Sequence, residues 1–271
     1  MSDLEAVAAD CSLVHLDVGS EVEHVATVTI DRPDARNALN AQVREELKKL
    51  FSAIEEADEV RVVVLTGSDE AKAFVAGADV GELRERSALE QRTVSRRPRV
   101  YELVDELPKP VIARINGHAL GGGCELAQAC DVRIAYEKAK LGQPEINLGI
   151  IPGGGGTQRL TRLVGEGHAM RLILSGELIS AADAQEIGLV DEVYGDDEFD
   201  ERVYDLAGKM AAKSPVALEF AKDAIKAASR MSLDQGIEYE AELFTQLFAT
   251  EDKQEGMDAF FEKRDPEWTG R

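Results

Sequence analysis

The sequence NGHALGGGCE occupies residues Asn116–Glu125. It follows the run Val111–Ile115, whose β-branched residues predict a buried strand. It precedes Leu126–Cys130, whose small and apolar residues predict a helix. Three glycines therefore lie where a strand passes into a helix, so backbone N–H groups can approach a ligand without a Cβ in the way. One interpretation is a cradle for an oxygen that becomes negative during a reaction. The other is tight packing of the helix on the strand.

A carboxylate stands beside these glycines. Glu125 comes three residues after Gly122, so the two share one face if the segment is helical. The N-terminus of a helix presents unpaired N–H donors and a partial positive charge. The sequence therefore predicts that Glu125 works as a base or acid next to a site that stabilises an anion.

The length and composition predict a large apolar core. The chain has 271 residues, of which 44% are hydrophobic and only 5% aromatic. No run of about 18 apolar residues is present, so no membrane contact is expected. The N-terminal sequence lacks the basic and apolar regions of a signal peptide. Three cysteines without metal spacing predict a reducing compartment, and we expect a cytoplasmic protein.

The charge is strongly acidic, with 52 acidic against 31 basic residues and a net charge of -21. Such a chain repels nucleic acid and anionic membranes, so neither is an expected partner. Two interpretations stay open for the acidic surface. It serves solubility alone, or it is adapted to a salt-rich, halophilic cytoplasm in which salt screens the repulsion.

Hydrophobic periodicity divides the chain into three parts. Residues 1–12 show no periodicity and predict a loose tail, residues 13–195 alternate strands and helices, and residues 196–271 are almost entirely helical. Within the α/β part, Asn40 is a predicted N-cap and Asp79 favours a helix start. Residues 82–106 predict an exposed helix, broken near Pro98. The other predicted elements are strands at 13–18, 25–30, 60–66, 111–115, 131–136 and 189–194, and helices at 39–54, 158–164 and 181–187.

Several catalytic classes lack their motifs. The sequence has no Gly-x-Ser-x-Gly, no Gly-x-Gly-x-x-Gly after the first strand and no Gly-Lys-Ser/Thr after the glycines at 153–156. The four histidines have no metal-binding spacing, so neither a metal nor a nucleotide cofactor is expected. Cys124 has two interpretations, a nucleophile or a small buried residue. The second is favoured because no neighbour in sequence would make it a thiolate.

A second carboxylate joins Glu125. Glu145 follows Pro144 in a segment short of charge, ahead of the glycine-rich segment Ile151–Thr157. Two carboxylates can hold one water molecule, with one accepting a proton while the other donates. The alternative is two surface glutamates among 52 acidic residues, and spacing alone does not decide between them.

Taken together, several motifs resemble the crotonase (enoyl-CoA hydratase/isomerase) family. The resemblance implies an α/β spiral of ββα units followed by a C-terminal helical trimerisation module. It also implies a homotrimer or dimer of trimers and an acyl-CoA thioester substrate, with coenzyme A as part of the substrate rather than a cofactor. The motifs are Arg32–Leu39, Ala76–Asp79, Asn116–Glu125, Gln143–Leu160 and Phe260–Arg264.

The same resemblance implies roles for individual residues. The N–H groups of Ala78 and Gly122 form an oxyanion hole, Glu125 and Glu145 are the acid/base pair, and Gly153 lies near the catalytic water. Two departures concern CoA binding, because Asp34 and Gly81 stand where some hydratases have lysines. The positions implied to bind the CoA thioester are Ala35, Lys72, Ala76, Ala78, Asp79, Val80, Gly121, Gly122 and Lys263.

The function implied is reversible hydration of a trans-2-enoyl-CoA to a 3-hydroxyacyl-CoA. A double-bond isomerase of the same family is the alternative, but many isomerases keep one acid, so the presence of both Glu125 and Glu145 favours hydration. An RNA-binding relative is opposed by the net charge of -21. Acyl chain length and the physiological direction are left open.

Overall fold

Parallel strands form the centre of the fold in the computed structural model, which describes residues 3–271. The strands are β1 (Val14–Val18), β2 (Val25–Ile30), β3 (Val62–Gly67), β4 (Ala73–Val75), β5 (Val111–Ile115), β6 (His118–Leu120), β7 (Val132–Tyr136), β8 (Lys140–Gly142), β9 (Leu178–Ser180) and β10 (Glu192–Tyr194). The larger sheet has the order β1-β2-β3-β5-β7-β10, and the smaller has the order β4-β6-β8-β9. Only the β1/β2 and β8/β9 pairs of these sheets are antiparallel.

Helices connect the strands and make up the C-terminal region. They are α1 (Asp3–Ala9), α2 (Ala41–Glu55), α3 (Val80–Glu85), α4 (Ala88–Val94), α5 (Val100–Glu106), α6 (Gly122–Ala129), α7 (Gly156–Ser175), α8 (Ala181–Glu186), α9 (Phe199–Ala211), α10 (Pro215–Ala227), α11 (Leu233–Leu247) and α12 (Glu251–Glu262). Within residues 3–271, none of them combines the length and apolar character needed to cross a membrane.

The larger sheet is covered on both faces. All residues of β3 and β5 are buried, as expected for continuous apolar runs in a parallel sheet. Val63 and Leu65 of β3 belong to the main apolar cluster with α2, whereas Val62 and Val64 pack with Phe199 of α9 on the other face. The two-residue period of a strand thus places alternate side chains in two cores.

Local capping follows the sequence. The Asn40 side chain accepts a hydrogen bond from the Val43 N–H at 2.8 Å and caps α2, as predicted. Asp79 caps α3 by accepting from the N–H groups of Gly81 and Glu82. The smaller sheet was not predicted from the sequence, because its three-residue strands are too short to show a period.

The prediction of a loose tail over residues 1–12 is wrong for the described residues 3–12. Helix α1 forms there, and Leu4 is buried in the main apolar cluster beside α2. Its connection to β1 is fixed by Glu46 of α2, whose Oε2 accepts from the N–H groups of Ser12, Leu13 and Val14 at 2.8–3.1 Å. A single buried carboxylate thus pairs three consecutive backbone N–H groups where the chain enters β1.

The prediction of an exposed helix over residues 82–106 is wrong in part. The segment forms α3, α4 and α5, and α5 buries Val100, Tyr101 and Val104 against the main cluster. The helix predicted over 158–164 ends where the structure has a kink, because Gly165 is non-helical with φ 79°. The part of α7 beyond this kink, which runs to Ser175, was not predicted.

From α9 onward the described residues form helices alone, as predicted, while the division at residue 195 stays a prediction. Ion pairs join this region to the rest. On α10, Lys222 and Lys226 contact Asp131 at 2.6 and 3.1 Å, and Lys226 also contacts Asp105 of α5. Asp105 in turn pairs with Arg159 of α7 at 3.3 Å. The C-terminal helices also expose large apolar side chains, including Leu233, Ile237, Phe244, Phe248, Phe260 and Phe261.

Candidate active site

Glu125 is buried on the first turn of α6 and is held by backbone groups. Its side chain is 3% exposed, and Oε1 accepts hydrogen bonds from the N–H groups of Gly154 and Gly156 at 2.6 and 2.7 Å. Burial raises the pKa of Glu125, and these two bonds, with the charges of Arg99 and Arg159, oppose the rise. The carboxylate is therefore fixed in place yet able to carry a proton.

The glycine-rich segment before α7 is anchored through its carbonyl groups. Arg99 donates to the Gly153 oxygen at 2.5 Å, and Arg159 donates to the Gly154 oxygen at 3.0 Å. Arg99 also pairs with Glu102 in α5. Because its carbonyls are held by the two arginines, this segment keeps its N–H groups directed at Glu125.

Glu145 lies in a 3-10 turn that begins at Pro144. A Cβ built on Gly121 would lie 2.9 Å from Glu145 Oε1, so this carboxylate faces the start of α6. Burial raises the pKa of Glu145 to about 7, and the nearby charge of Glu125 adds to the rise. The two glutamates that the sequence singled out thus belong to one site.

Two backbone segments meet beside Gly122. Leu39 donates to Gly77 and accepts from Asp79, while none of the hydrogen bonds described for residues 3–271 uses the Ala78 N–H. Gly122 is the first residue of α6, where an N–H has no partner within the helix. A Cβ on Gly122 would lie 3.4 Å from the Ala78 nitrogen, so both nitrogens border the same small space.

The packing interpretation of the glycines holds for one of the three. A Cβ on Gly123 would lie 2.0 Å from the Val75 carbonyl oxygen, which only glycine avoids. Gly121 instead adopts φ 49° and ψ −122° and turns the chain into α6 beside Glu145. The two interpretations made from the sequence therefore apply to different residues of the same motif.

Cys124 is the buried residue that the sequence favoured. Its side chain is fully buried, and burial raises the pKa of its thiol to about 12. It is therefore protonated at neutral pH, which does not suit a nucleophile.

The remaining predicted positions differ in their contacts and in their exposure. Asp79 pairs with Arg32 at 2.7 Å, which fixes the segment that carries Ala78. The Ala76 N–H donates to the Arg36 carbonyl at 3.1 Å. Lys72 and Lys263 both adopt left-handed backbone conformations, and no described contact joins either lysine to the glutamates. Of the other predicted positions, Ala35 ends a short 3-10 turn, Val80 opens α3 as an exposed residue, and Gly153 is exposed.

Three residues of the site were missed at the level of the sequence. The ring of Tyr101 fills the space where a Cβ on Gly154 would be, with its nearest atom 2.5 Å from that point. Arg99 anchors the glycine-rich segment, and Gln128 lies buried behind Glu145. For Tyr101 the signal in the sequence was the apolar period over 100–104, which the charged residues around it obscured.

Comparisons with known proteins identify the family to which the chain is similar. The model of the family "Enoyl-CoA hydratase/isomerase" matches residues 20–271. A short-chain-enoyl-CoA hydratase of Clostridium acetobutylicum is 46% identical over 241 residues, which cover 89% of this chain and 92% of that protein. A 2,3-dehydroadipyl-CoA hydratase of Escherichia coli is 45% identical over 252 residues, covering 93% and 98% respectively.

Solved structures give the same result for the fold. An enoyl-CoA hydratase from Bacillus anthracis matches with a TM-score of 0.90 at 41% identity, covering 96% of this chain and 100% of that one. The predicted crotonase-like α/β fold is confirmed by this match. The chain belongs to the enoyl-CoA hydratase/isomerase family of enzymes.

Proposed function

We propose that this protein is an enoyl-CoA hydratase that adds water reversibly to the trans-2 double bond of an enoyl-CoA, giving a 3-hydroxyacyl-CoA. The observation that supports the proposal is that two carboxyl groups meet the start of α6: Glu125, which accepts from the Gly154 and Gly156 N–H groups, and Glu145, which faces Gly121. Relatives that are 45–46% identical are named as hydratases of enoyl-CoA thioesters, which supports the same chemistry here.

In this mechanism the thioester oxygen accepts hydrogen bonds from the Ala78 and Gly122 N–H groups. Negative charge grows on that oxygen as water attacks the β-carbon, and the donors stabilise it together with the N-terminus of α6. Both donors belong to backbone fixed by neighbouring elements, so little reorganisation is needed when the charge develops. Gly153 would lie near the attacking water, while Lys72 and Lys263 would bind the nucleotide end of CoA.

The two glutamates then divide the proton transfers. Glu125 accepts a proton from water as the oxygen bonds to the β-carbon, and Glu145 donates a proton to the α-carbon. Burial raises the pKa of Glu145 to about 7, which keeps an acid form available at neutral pH. The reverse sequence eliminates water from a 3-hydroxyacyl-CoA, so the same groups serve as a dehydratase.

Paired assays test this function against the isomerase alternative. Hydration is measured at high salt on trans-2-enoyl-CoA substrates of increasing chain length. The signal is the loss of absorbance of the conjugated enoyl group. A trans-3-enoyl-CoA of equal length is the matched substrate for isomerisation. We expect hydration to exceed isomerisation at every length. Isomerisation faster than hydration on the matched pair would overturn the proposal.

We also propose that the protein is cytoplasmic and assembles as a homotrimer or dimer of trimers through its C-terminal helices. The exposed phenylalanines support this, because side chains such as Phe244, Phe248, Phe260 and Phe261 are unusual on a monomer surface. Mass in solution by light scattering tests the assembly, and a monomer at working concentration would contradict it.

A further inference from the structure

Two buried glutamines lie behind Glu145. Gln143 is fully buried just before the 3-10 turn, and Gln128 is 5% exposed on α6. Gln128 Nε2 also lies 3.2 Å from Cys124 Sγ, one turn earlier on the same helix. Neither amide reaches solvent, so their hydrogen bonds must be made within the protein.

The surrounding donors and acceptors assign the orientation of the Gln143 amide. With its nitrogen facing Glu145, it donates to Oε1 and Oε2 at 3.0 and 3.1 Å. Its oxygen then accepts from Gln128 Nε2 at 3.0 Å. The opposite orientation would set the Gln143 nitrogen against the Gln128 nitrogen, which is a contact between two donors.

The other end of Gln128 is unpaired. Its Oε1 is buried without a hydrogen-bond partner among the residues that the structure describes. A buried carbonyl oxygen without a partner destabilises the fold, so an apolar side chain would pack here at lower cost. The amide nitrogen of Gln128 is therefore the group whose hydrogen bond explains a glutamine at this position, and it donates to Gln143.

We propose that Gln128 is a positioning residue that, by donating to Gln143, keeps the Gln143 N–H facing Glu145 and favours the base form of Glu145 over its acid form. This deepens the proposed function, on which it rests for the role of Glu145 in turnover. No described hydrogen bond joins Gln128 to the carboxylate, and the one that leads toward it runs through Gln143.

The effect follows from the two ends of an amide. When its nitrogen faces Glu145, Gln143 donates to the carboxylate, and a bond to a charged acceptor is stronger than one to a neutral acid. When its oxygen faces Glu145, it accepts from the protonated acid. Gln128 blocks the second orientation, so removing Gln128 gives the acid form a hydrogen bond that it lacks in the native protein.

Three other titratable groups face Glu145, and none of them is changed when a glutamine is replaced. Glu125 and Cys124 face it from α6, and Tyr101 faces it from α5. Burial raises the pKa of both the Cys124 thiol and the Tyr101 hydroxyl, so both stay neutral between pH 5 and 9. Glu125 is the remaining titratable neighbour of the three, and it is unchanged in variants of the glutamines.

The test follows the protonation of Glu145 without substrate. Infrared difference spectra between pH 5 and 9 follow the band of the protonated carboxyl group of Glu145, and the pH at which this band is half lost is the titration midpoint. The band is identified by its absence in Glu145→Gln. Gln128→Met and Gln128→Leu keep the volume and remove the amide. We expect the midpoint to rise by about one pH unit, a tenfold change in the proton equilibrium. The pH profile of kcat should move in the same direction.

A double-mutant cycle identifies the path of the effect. In a Gln143→Met background, Gln128→Met should cause no further shift, because its target is absent. Gln185→Met, on the exposed side of α8, is the control and should leave the midpoint unchanged. An unchanged midpoint in both Gln128 variants, or an equal shift without Gln143, would overturn the inference.

The infrared measurement also separates this inference from the proposed function. A shifted midpoint in a protein that hydrates no enoyl-CoA would support the inference and refute the function. Normal hydration with an unshifted midpoint would do the reverse. If Gln128→Met unfolds, the leucine variant at the same position gives the midpoint instead.

Discussion

Glu125 and Glu145 are the same residue type held in two different ways. Glu125 accepts from two backbone N–H groups and is almost fully buried. Glu145 is only partly buried and is bound by the side-chain amide of Gln143, whose orientation we attribute to Gln128. Backbone donors cannot turn around, so the bonds to Glu125 are fixed, whereas the Gln143 amide donates to Glu145 only while its own orientation is held.

This difference supports the division of labour proposed for the two residues. A base that begins each cycle ionised is well served by fixed donors. Burial raises the pKa of both carboxyl groups, but two backbone N–H groups and the charges of Arg99 and Arg159 oppose the rise for Glu125. For Glu145 the charge of Glu125 adds to the rise in pKa, to about 7, which suits an acid that begins each cycle protonated. One site thus sets two carboxyl groups to different tasks through the groups that bind them.

The largest expected effect is loss of either carboxyl group. Glu125→Gln and Glu145→Gln each remove a proton acceptor or donor while keeping the side-chain shape, so we predict that kcat for hydration of a short trans-2-enoyl-CoA falls by about 10³–10⁴. Binding of the saturated acyl-CoA, measured by calorimetry, should change little. Glu186→Gln, exposed on α8, is the control. Near-normal turnover in both site variants would refute the pair.

The next effect concerns the backbone N–H groups that we propose bind the thioester oxygen. Gly122→Pro removes one N–H at the first position of α6, where proline is tolerated, and we predict a fall in kcat of about 10²–10³. Gly122→Ala keeps the N–H and adds a Cβ 3.1 Å from the Tyr101 hydroxyl. Steady-state kinetics of the two variants separates the donor from the space. Equal losses in both would assign the effect to crowding.

Stability against pH should distinguish Glu145 from Glu46, the buried glutamate of α2. Burial by itself would raise the pKa of Glu46, but hydrogen bonds from Gln42 and three backbone N–H groups outweigh it, so its pKa is lowered from 4.5. The pKa of Glu145 is raised from 4.5 to about 7. The two residues therefore make the free energy of unfolding depend on pH in opposite directions.

The signs follow from proton binding. Between about pH 4.5 and 7 the folded protein holds a proton on Glu145 that the unfolded chain has lost, so stability falls as pH rises. Glu145→Gln should then raise Tm at pH 8 by about 2–4 °C and have little effect at pH 4. Ionised Glu46 stabilises the fold above pH 4.5, so Glu46→Gln should lower Tm at pH 7 by about 4 °C, and less below pH 4. Differential scanning calorimetry measures both, and shifts of the same sign would contradict the comparison.

The smallest expected effect is that of salt on the site. Exposed charges are screened by salt and buried ones much less, so the midpoint of Glu145 should move by less than about 0.3 pH units between 0.1 and 3 M KCl. With a net charge of -21, we predict that Tm rises over the same range. A Tm indifferent to salt would end the interpretation of a salt-adapted surface, and a large shift of the midpoint would show that the site is not shielded.

Signals that lie within a short segment could be predicted from the sequence. The caps at Asn40 and Asp79 depend on side chains that reach only two or three residues along the chain, and both were found. The strand Val111–Ile115 was found with its bounds, because a buried parallel strand is a continuous apolar run. The proximity of Glu125 and Glu145 came from the resemblance to a family, since spacing alone did not decide it.

Contacts between distant segments could not be predicted in this way. Tyr101 meets Gly154 across more than fifty positions, and Glu46 binds the segment before β1 across more than thirty. Helix α1 looked like a tail because only seven residues form it, and its stability comes from packing Leu4 on α2 rather than from its own propensity.

The ion pairs of α10 bear on any attempt to express the catalytic half by itself. A fragment ending at residue 195 would retain both glutamates and every glycine of the site. It would lose Lys222 and Lys226, which pair with Asp131, and with Lys226 it would lose one of the cations that pair with Asp105. Asp105 also contacts Arg159, whose guanidinium holds the carbonyl of Gly154. Truncation would therefore disturb the charge balance around the backbone that binds Glu125. The C-terminal helices thus contribute to the geometry of the site as well as to the fold.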